Sequence, residues 1–338
     1  MTFNNACKLL FGIAFGLSGV ATAVADPIIN VEYDPAINFS AADKATVQSA
    51  IDFYTSNITN NFTLTIAIGQ QAGSGATTSS FSQTVDYNAY YNALVTESSP
   101  TDTTRQTAIA SLGPGPHTNN PVTDTTNVKM RPVLAALLGI GSEVSDSFAE
   151  CGGLTANACI QIGAEDLNAT GTPGAALFGE VEHEVDEVLG TSSALSSNGG
   201  GTLPTDPSVA DLYRYSDPSV RSFAFNTSMD MPCTGSPTAY LSINSGVTNL
   251  DQYNNCNNGG DYGDWIYTDG KQVQDAFGPP DQASSLSLSS PEVALLDAVG
   301  YNFISPSTAV PEPSSLGLVA IALVSAILVR RKRARRVV

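Results

Sequence analysis

The pattern of apolar and polar residues predicts a mixture of strands and helices in the first half of the chain. Residues 28–33 form a candidate strand, and the alternation over 62–68 predicts a second, half-buried strand. Between them, Ser40 is a candidate N-cap, because apolar residues follow it at helical spacing: Val47, Ile51, Tyr54 and Ile58. Further helices are predicted over 87–95, 103–112 and 128–138, and a short strand over 159–162.

The second half has a different pattern. Residues 191–289 are rich in Gly, Asn, Pro and aromatic residues, with short strand candidates only at 222–225 and 239–243. One further helix is predicted after Ser290, with Pro291 in its first turn and Gly300 just past its end. The expected fold class is therefore α+β, with a mixed sheet and helices in an N-terminal lobe and a loop-rich C-terminal lobe.

The N-terminal end carries an apolar segment too short to span a bilayer. Lys8 precedes an apolar run over 9–20, and Ala21, Ala23 and Ala25 supply the small residues of a signal-peptidase site. Residues 1–25 are therefore predicted to be a signal peptide cleaved after Ala25. An uncleaved anchor is the alternative.

The C-terminal end has three parts in a fixed order: Val-Pro-Glu-Pro at 310–313, an apolar stretch over 316–329, and a basic cluster over 330–336. Fourteen apolar residues reach about 21 Å as a helix, which is short for a hydrocarbon core of ~30 Å and predicts a weak transmembrane helix with a cytoplasmic basic stop. The order resembles the PEP-CTERM sorting signal of Gram-negative bacteria. The resemblance implies cleavage by an exosortase, transient membrane contact, and delivery to the cell surface or extracellular matrix; a permanent anchor is the alternative.

These two ends predict a domain organisation and alter the charge balance. Residues 26–304 form the predicted working domain, and 305–338 form a linker and the sorting tail (310–338). Lys8 and the six basic residues from Arg330 onward lie in the ends, so 26–313 keeps all 32 acidic side chains and a net charge of about −25. Such a domain has no electrostatic reason to bind nucleic acid or an anionic membrane. Its carboxylates suit solubility or, as a second option, Ca²⁺ binding.

Four cysteines remain once Cys7 leaves with the signal peptide, and an oxidising compartment favours disulfides between them. Three pairings are possible. We favour Cys151 with Cys159 and Cys233 with Cys256, because both close local loops. A zinc-thiolate cluster is less favoured, because no CxxC spacing is present.

The strongest chemical signature lies in a helix predicted to begin at Thr172-Pro173 and to end at Gly190. At 100° per residue, four apolar side chains form a stripe that predicts the buried face: Phe178, Val181, Val185 and Val188. Four polar side chains converge on the opposite side: Glu180, His183, Glu184 and Glu187. Glu182 and Asp186 are expected to point elsewhere.

His183 and Glu187 are one helical turn apart, which is the spacing that lets two side chains bind one metal ion. Glu184 lies beside them, in the position of a general base. Zinc lowers the pKa of a bound water to about 7 while a carboxylate accepts its proton. We therefore predict His183 and Glu187 as metal ligands, Glu184 as the catalytic residue and Zn²⁺ as the cofactor. A polar surface helix is the simpler alternative.

A catalytic zinc ion needs a third protein ligand, which the helix does not supply. Asp211, downstream of the helix, is a candidate, and His117 is expected to be an exposed loop residue. Met229 and Met231 either form a methionine turn beneath a metal or pack against the core. Three further carboxylates suit calcium or a solvated loop, with the loop favoured: Asp261, Asp264 and Asp269.

The register of the helix matches the zincin motif His-Glu-x-x-His, except that Glu187 replaces the second histidine. Gly190 fits the metzincin extension, whose last ligand position holds Ser193 here. The string 183–190 resembles the core of a family of secreted proteins assigned as metalloproteases that carry PEP-CTERM tails. The likeness covers roughly 180–303 through further segments at 211–216, 220–223, 260–265 and 296–301.

This resemblance implies a zincin- or metzincin-like fold and a metal-dependent peptidase acting on protein or peptide substrates. His183 and Glu187 take the family's ligand positions and Glu184 takes the position of the base. The first alternative is a non-catalytic extracellular surface or matrix protein on the same scaffold. The second alternative is a glycosidase, which would use paired carboxyl groups without a metal.

Overall fold

A computed structural model describes residues 26–113, 117–167, 175–195, 204–223, 225–226, 229, 233, 238–266, 272–277 and 286–304. These residues form a mixed α+β structure, as predicted. The strands are β1 (Ile28–Tyr33), β2 (Thr63–Gln71), β3 (Ala76–Ser80), β4 (Gln83–Asp86), β5 (Asn127–Met130), β6 (Asp146–Phe148), β7 (Leu154–Ala156), β8 (Ala158–Gly163), β9 (Arg214–Asp217), β10 (Val220–Arg221), β11 (Tyr240–Leu241) and β12 (Asp251–Gln252). The helices are α1 (Ala41–Asn57), α2 (Tyr87–Glu97), α3 (Thr103–Ser111), α4 (Pro132–Leu137), α5 (Ala175–Leu189) and α6 (Pro291–Val299).

The main sheet has the strand order β1-β2-β8-β3. Strands β1, β2 and β8 run parallel, and β3 closes one edge in the antiparallel direction. Helix α1 begins as predicted at Ser40, whose hydroxyl accepts the N–H of Asp43 at 3.1 Å while the Asp43 carboxylate accepts the N–H of Ser40 at 2.9 Å. This capping box satisfies two backbone donors that the helix itself leaves unpaired. Helix α1 packs against α5, so the regular half of the fold supports the helix with the chemical signature.

The single helix predicted over 128–138 was wrong. The chain forms strand β5 and then the short helix α4, with Arg131 between them in an extended conformation (φ −68°, ψ 142°). The reason is Pro132, because the proline ring disfavours the helical conformation of the preceding residue. The break places the Arg131 side chain against the C-terminal end of α5.

The loop-rich character predicted for the second half is confirmed in its described residues. Four short strands form a second sheet in the order β10-β9-β11-β12. The strand predicted over 222–225 is found instead at Val220–Arg221, and the one predicted over 239–243 is reduced to Tyr240–Leu241. Both expected disulfides are present, Cys151 with Cys159 and Cys233 with Cys256, with Cα–Cα distances of 6.1 and 5.5 Å.

Three long side chains fix α5 from different elements by hydrogen bonds to its carbonyl oxygens. The Tyr54 hydroxyl on α1 donates to Glu182 at 2.8 Å, and the Tyr301 hydroxyl after α6 donates to Leu189 at 2.9 Å. Arg131 Nε donates to the carbonyl of Glu187 at 2.9 Å. Because these contacts lie at successive levels of the helix, they fix its position along the axis and its rotation.

Within the described residues, no helix has the length and apolar character needed to cross a bilayer. The apolar segments 9–20 and 316–329, the signal-peptidase site and the predicted linker all lie outside these residues.

Candidate metal centre

Helix α5 is buried on more sides than the sequence pattern predicted. Val181, Val185 and Val188 are in the core as expected, and Phe178 is partly buried. Glu182 and Asp186, which the helical wheel places away from the polar cluster, are also buried, at 2% and 0% exposure. The single apolar stripe was therefore an incomplete description, because Tyr54 of α1 and segments after residue 191 cover other sides of this helix as well.

One imidazole and two carboxylates meet beside α5. His183, Glu187 and Asp264 each offer one atom that could bind a metal ion, and these three atoms lie within 4.8 Å of one another. His183 Nε2 lies 3.6 Å from Asp264 Oδ1. The structure thus brings His183 and Glu187 together as their helical spacing predicted, and adds Asp264 from a distant loop.

The orientation of the His183 ring is set by its other nitrogen. Nδ1 lies 2.9 Å from the carbonyl oxygen of Val273, to which it donates, and Gln274 Nε2 donates to the carbonyl oxygen of His183 at 2.7 Å. A hydrogen bond from one ring nitrogen to a carbonyl is the usual support of a metal-binding histidine, because it presents the other nitrogen unprotonated. The arrangement directs Nε2 of His183 toward the two carboxylates.

Asp264 uses its two carboxylate oxygens differently. Oδ2 accepts the backbone N–H of Asp261 at 3.2 Å. Oδ1 is buried and has no hydrogen-bond partner among the described residues, although it faces His183. Buried polar atoms are normally satisfied, so an orphaned oxygen pointing at an imidazole fits a site that binds a cation.

The charged side chains of the triad shift one another's pKa values. Burial lowers the pKa of His183, but the carboxylates of Asp264, Glu184 and Glu187 outweigh it and raise the value to about 10. Burial raises the pKa of Asp264 to about 7, against the opposing effect of His183. Burial and the neighbouring carboxylates raise the pKa of Glu187 well above its ordinary range. Without a cation the site therefore retains protons, which a divalent ion would replace.

Glu184 lies next to this triad and is 5% exposed. Burial raises its pKa, and the charge of His183 and a hydrogen bond from Thr78 oppose the rise. Its backbone carbonyl also accepts the Thr78 hydroxyl on β3 at 3.3 Å, which ties the helix to the sheet edge. Glu180, the fourth polar residue of the predicted face, lies instead beside Asp166; burial and that carboxyl raise its pKa to about 8.

Asp211 is not a member of the triad. Its carboxylate is 2% exposed and accepts hydrogen bonds from the Ser193 hydroxyl at 2.5 Å and from the N–H groups of Ala194 and Ser208, both at 2.9 Å. These contacts hold the turn that follows α5, so Asp211 has a structural role. The same bonds occupy Ser193, at the metzincin extension's last ligand position.

Several other expectations were wrong. His117 is buried at 8% exposure, with its ring 3.7 Å from that of Tyr91, because aromatic residues of α2 cover the loop. Met229 is 73% exposed and cannot pack beneath a metal ion. The preference for a solvated loop at Asp264 was wrong, since this side chain is 4% exposed. Met231 and Asp269 lie outside the described residues.

Glu292 is the residue of this region that sequence reasoning missed most completely. It lies at the start of α6 and is fully buried, and its Oε1 accepts the indole N–H of Trp265 at 2.8 Å and the backbone N–H of Gln274 at 3.2 Å. Its pKa is raised by burial, against these hydrogen bonds. A Glu in the first turn of a helix is common, so the pattern gave no signal of this contact.

Comparison with known proteins assigns the C-terminal end. Residues 309–333 match the PEP-CTERM protein-sorting motif. The motif indicates that the chain is exported, processed by an exosortase and sorted to the cell surface, as in Gram-negative bacteria. No curated protein and no solved structure matches the chain.

Proposed function

We propose that this exported protein is a zinc-dependent metallopeptidase on a zincin-like scaffold. His183, Glu187 and Asp264 bind the ion, and Glu184 is the general base. The observation that carries the proposal is the convergence of these three side chains on one point, with the His183 ring already oriented by Val273.

The donor set favours a transition metal ion. An imidazole with two carboxylates is a nitrogen and oxygen set of the kind zinc accepts, and three protein ligands leave the fourth position open. Calcium, the other ion that the acidic composition suggested, takes six to eight oxygen ligands, and imidazole nitrogen is not among its usual ligands. The ligand chemistry therefore supports zinc over calcium at this point.

Each residue has a defined task in this proposal. When bound, zinc would act as a Lewis acid that polarises a substrate carbonyl and lowers the pKa of water. Glu184 accepts a proton, and its raised pKa brings it closer to the neutral range in which a general base works best. The Val273 carbonyl keeps His183 in one tautomer. The choice of peptide bonds as the substrate follows the resemblance of residues 180–303 to the metalloprotease family.

A second candidate is a non-catalytic metal-binding module displayed at the cell surface or in the extracellular matrix. The depth of the site favours it, since the His183 side chain is 17% exposed and Asp264 5%. A buried metal stabilises a fold without requiring access for a substrate.

The two candidates differ in what Glu184 does. Glu184→Gln keeps the size of the side chain and removes the base, so a peptidase should keep its metal and lose cleavage of unfolded casein by at least about a hundredfold, the lower end of a general base's usual contribution. Glu165→Gln, at an exposed position, is the matched control and should cleave at the wild-type rate. Metal binding by wild-type protein that cleaves no casein or peptide mixture would favour the non-catalytic module.

A further inference from the structure

Asp264 and Val273 lie in two loop segments, 261–266 and 272–275, which we call the ligand loop. The backbone N–H of Trp265 donates to the backbone carbonyl of Gln274 at 2.7 Å, and the backbone N–H of Ala276 donates to the carbonyl of Trp265 at 3.0 Å. These bonds join the two segments to each other. Other bonds attach the pair to its surroundings: the Ile266 N–H donates to the carbonyl of Gln252 at 2.7 Å, and Gln274 Nε2 donates to the carbonyl of His183 on α5 at 2.7 Å.

Glu292, on α6, adds a contact to each of the two segments through a single oxygen atom. Its Oε1 accepts one donor from each segment, the indole N–H of Trp265 and the backbone N–H of Gln274. Trp265 follows Asp264, and Gln274 follows Val273. Each donor is thus one residue away from a group that faces His183.

We infer that Glu292 is a positioning residue of the metal centre: by holding both segments of the ligand loop, its carboxylate helps to set where Asp264 and Val273 meet His183. The inference rests on the proposed metal site and adds a residue that does not touch the ion. Glu292, Trp265 and Gln274 are 0 to 1% exposed, so water cannot replace the carboxylate as an acceptor.

The size of the expected effect follows from the behaviour of outer residues in metal sites. Loss of a group that orients a ligand typically reduces metal affinity by 10- to 100-fold. Glu292→Met removes the acceptor and leaves two buried N–H donors, so its affinity for Co²⁺ should fall within about that range. Its cobalt absorption spectrum should also change, because the position of Asp264 changes.

Two further variants provide matched controls. Glu292→Gln retains a carbonyl oxygen in the place of Oε1, so its Co²⁺ affinity should stay within about threefold of the wild type. Asp297→Asn alters another carboxylate of α6, one that pairs with Arg105 at 3.1 Å rather than with the ligand loop. This change should reduce thermal stability and leave the cobalt affinity and spectrum unaltered.

The experiment is a Co²⁺ titration of the purified full chain and its variants, with circular dichroism to confirm folding. Loss of affinity and an altered spectrum in Glu292→Met, with both retained in the two controls, supports the inference. Wild-type affinity and spectrum in folded Glu292→Met overturn it. If Glu292→Met does not fold, Trp265→Phe serves instead, because it removes only one of the two donors. A loss of Co²⁺ affinity of at least threefold in this variant supports the inference, and an unchanged titration overturns it.

A separate readout distinguishes failure of this inference from failure of the metal site. Trp265 is the only tryptophan in the sequence, so the protein has a single indole N–H resonance. Slow hydrogen exchange of this resonance in wild type, and fast exchange in Glu292→Met, show the contact without any metal. If wild type binds no Co²⁺, the metal site itself is wrong and the positioning role falls with it, whereas unaltered indole exchange in the variant contradicts the Glu292 contact alone.

Discussion

The two halves of the metal site come from regions of opposite character. His183 and Glu187 lie on α5, which packs against α1 and is fixed by Tyr54, Tyr301 and Arg131. Asp264 lies in a loop without regular secondary structure. A helix sets the spacing of its ligands through its own hydrogen bonds, whereas a loop depends on contacts from elsewhere. The loop half should therefore be the more sensitive to changes at a distance.

The largest effect is expected from the helix half. His183→Ala removes the only nitrogen ligand of the triad and should abolish Co²⁺ binding at micromolar concentrations. His117→Gln changes the other histidine of the chain, which packs against Tyr91, and should bind Co²⁺ as wild type does. A titration that shows equal affinity for His183→Ala and wild type would remove the helix from the site.

The next effect distinguishes Asp264 from Asp211. Asp264→Asn removes a charged ligand and should lower the Co²⁺ affinity by at least about a hundredfold, given a net worth of several kcal/mol for a buried charge partner. Asp211→Asn weakens the hydrogen bonds to Ser193 and Ser208, so it should lower stability by about 1–3 kcal/mol and change metal affinity little. The reverse result would make Asp211 the third ligand.

The two disulfides should also act on different properties. Cys233–Cys256 packs against Ile266, two residues after Asp264, whereas Cys151–Cys159 packs with Ala67 of the main sheet. Replacing Cys233 and Cys256 by Ser should lower the Co²⁺ affinity about tenfold, as expected for loss of outer support. Replacing Cys151 and Cys159 should cost about 2–4 kcal/mol of unfolding free energy and leave the metal affinity unchanged. Equal effects of both pairs on affinity would show that the ligand loop is not specifically stapled.

The smallest expected effect is a dependence of stability on pH. Burial raises the pKa of Glu180 to about 8 and those of Asp264, Asp275 and Asp297 to about 7. The folded chain holds protons that the unfolded chain has released, so this stabilisation is complete below a pH of about 4 and is lost as the pH rises to about 8. Metal-free protein should melt several degrees lower at pH 8 than at pH 5, and metal-loaded protein should show a smaller difference. A higher melting temperature at pH 8 than at pH 5 in the metal-free protein would contradict these shifts.

The same contrast explains which parts of the site could be predicted from sequence. His183, Glu184 and Glu187 were found because helical periodicity relates residues three and four positions apart. The Ser40 cap and α6 followed from equally local signals. Asp264 was named only for calcium or a solvated loop, and its place beside His183 was not predicted, because this pairing spans 81 positions and depends on the tertiary placement of a loop, for which no periodic pattern exists. The burial of Glu182 and Asp186 was not predicted for a related reason, since the wheel shows the faces of a helix but not what covers them.

Metal analysis of the purified wild-type chain tests the central claim most directly. We predict about one equivalent of zinc per chain, removable by a chelator and restored by Zn²⁺ or Co²⁺, with a lower melting temperature in the metal-free form. Protein purified without chelators that contains no transition metal and takes up neither ion would contradict a metal site formed by His183, Glu187 and Asp264.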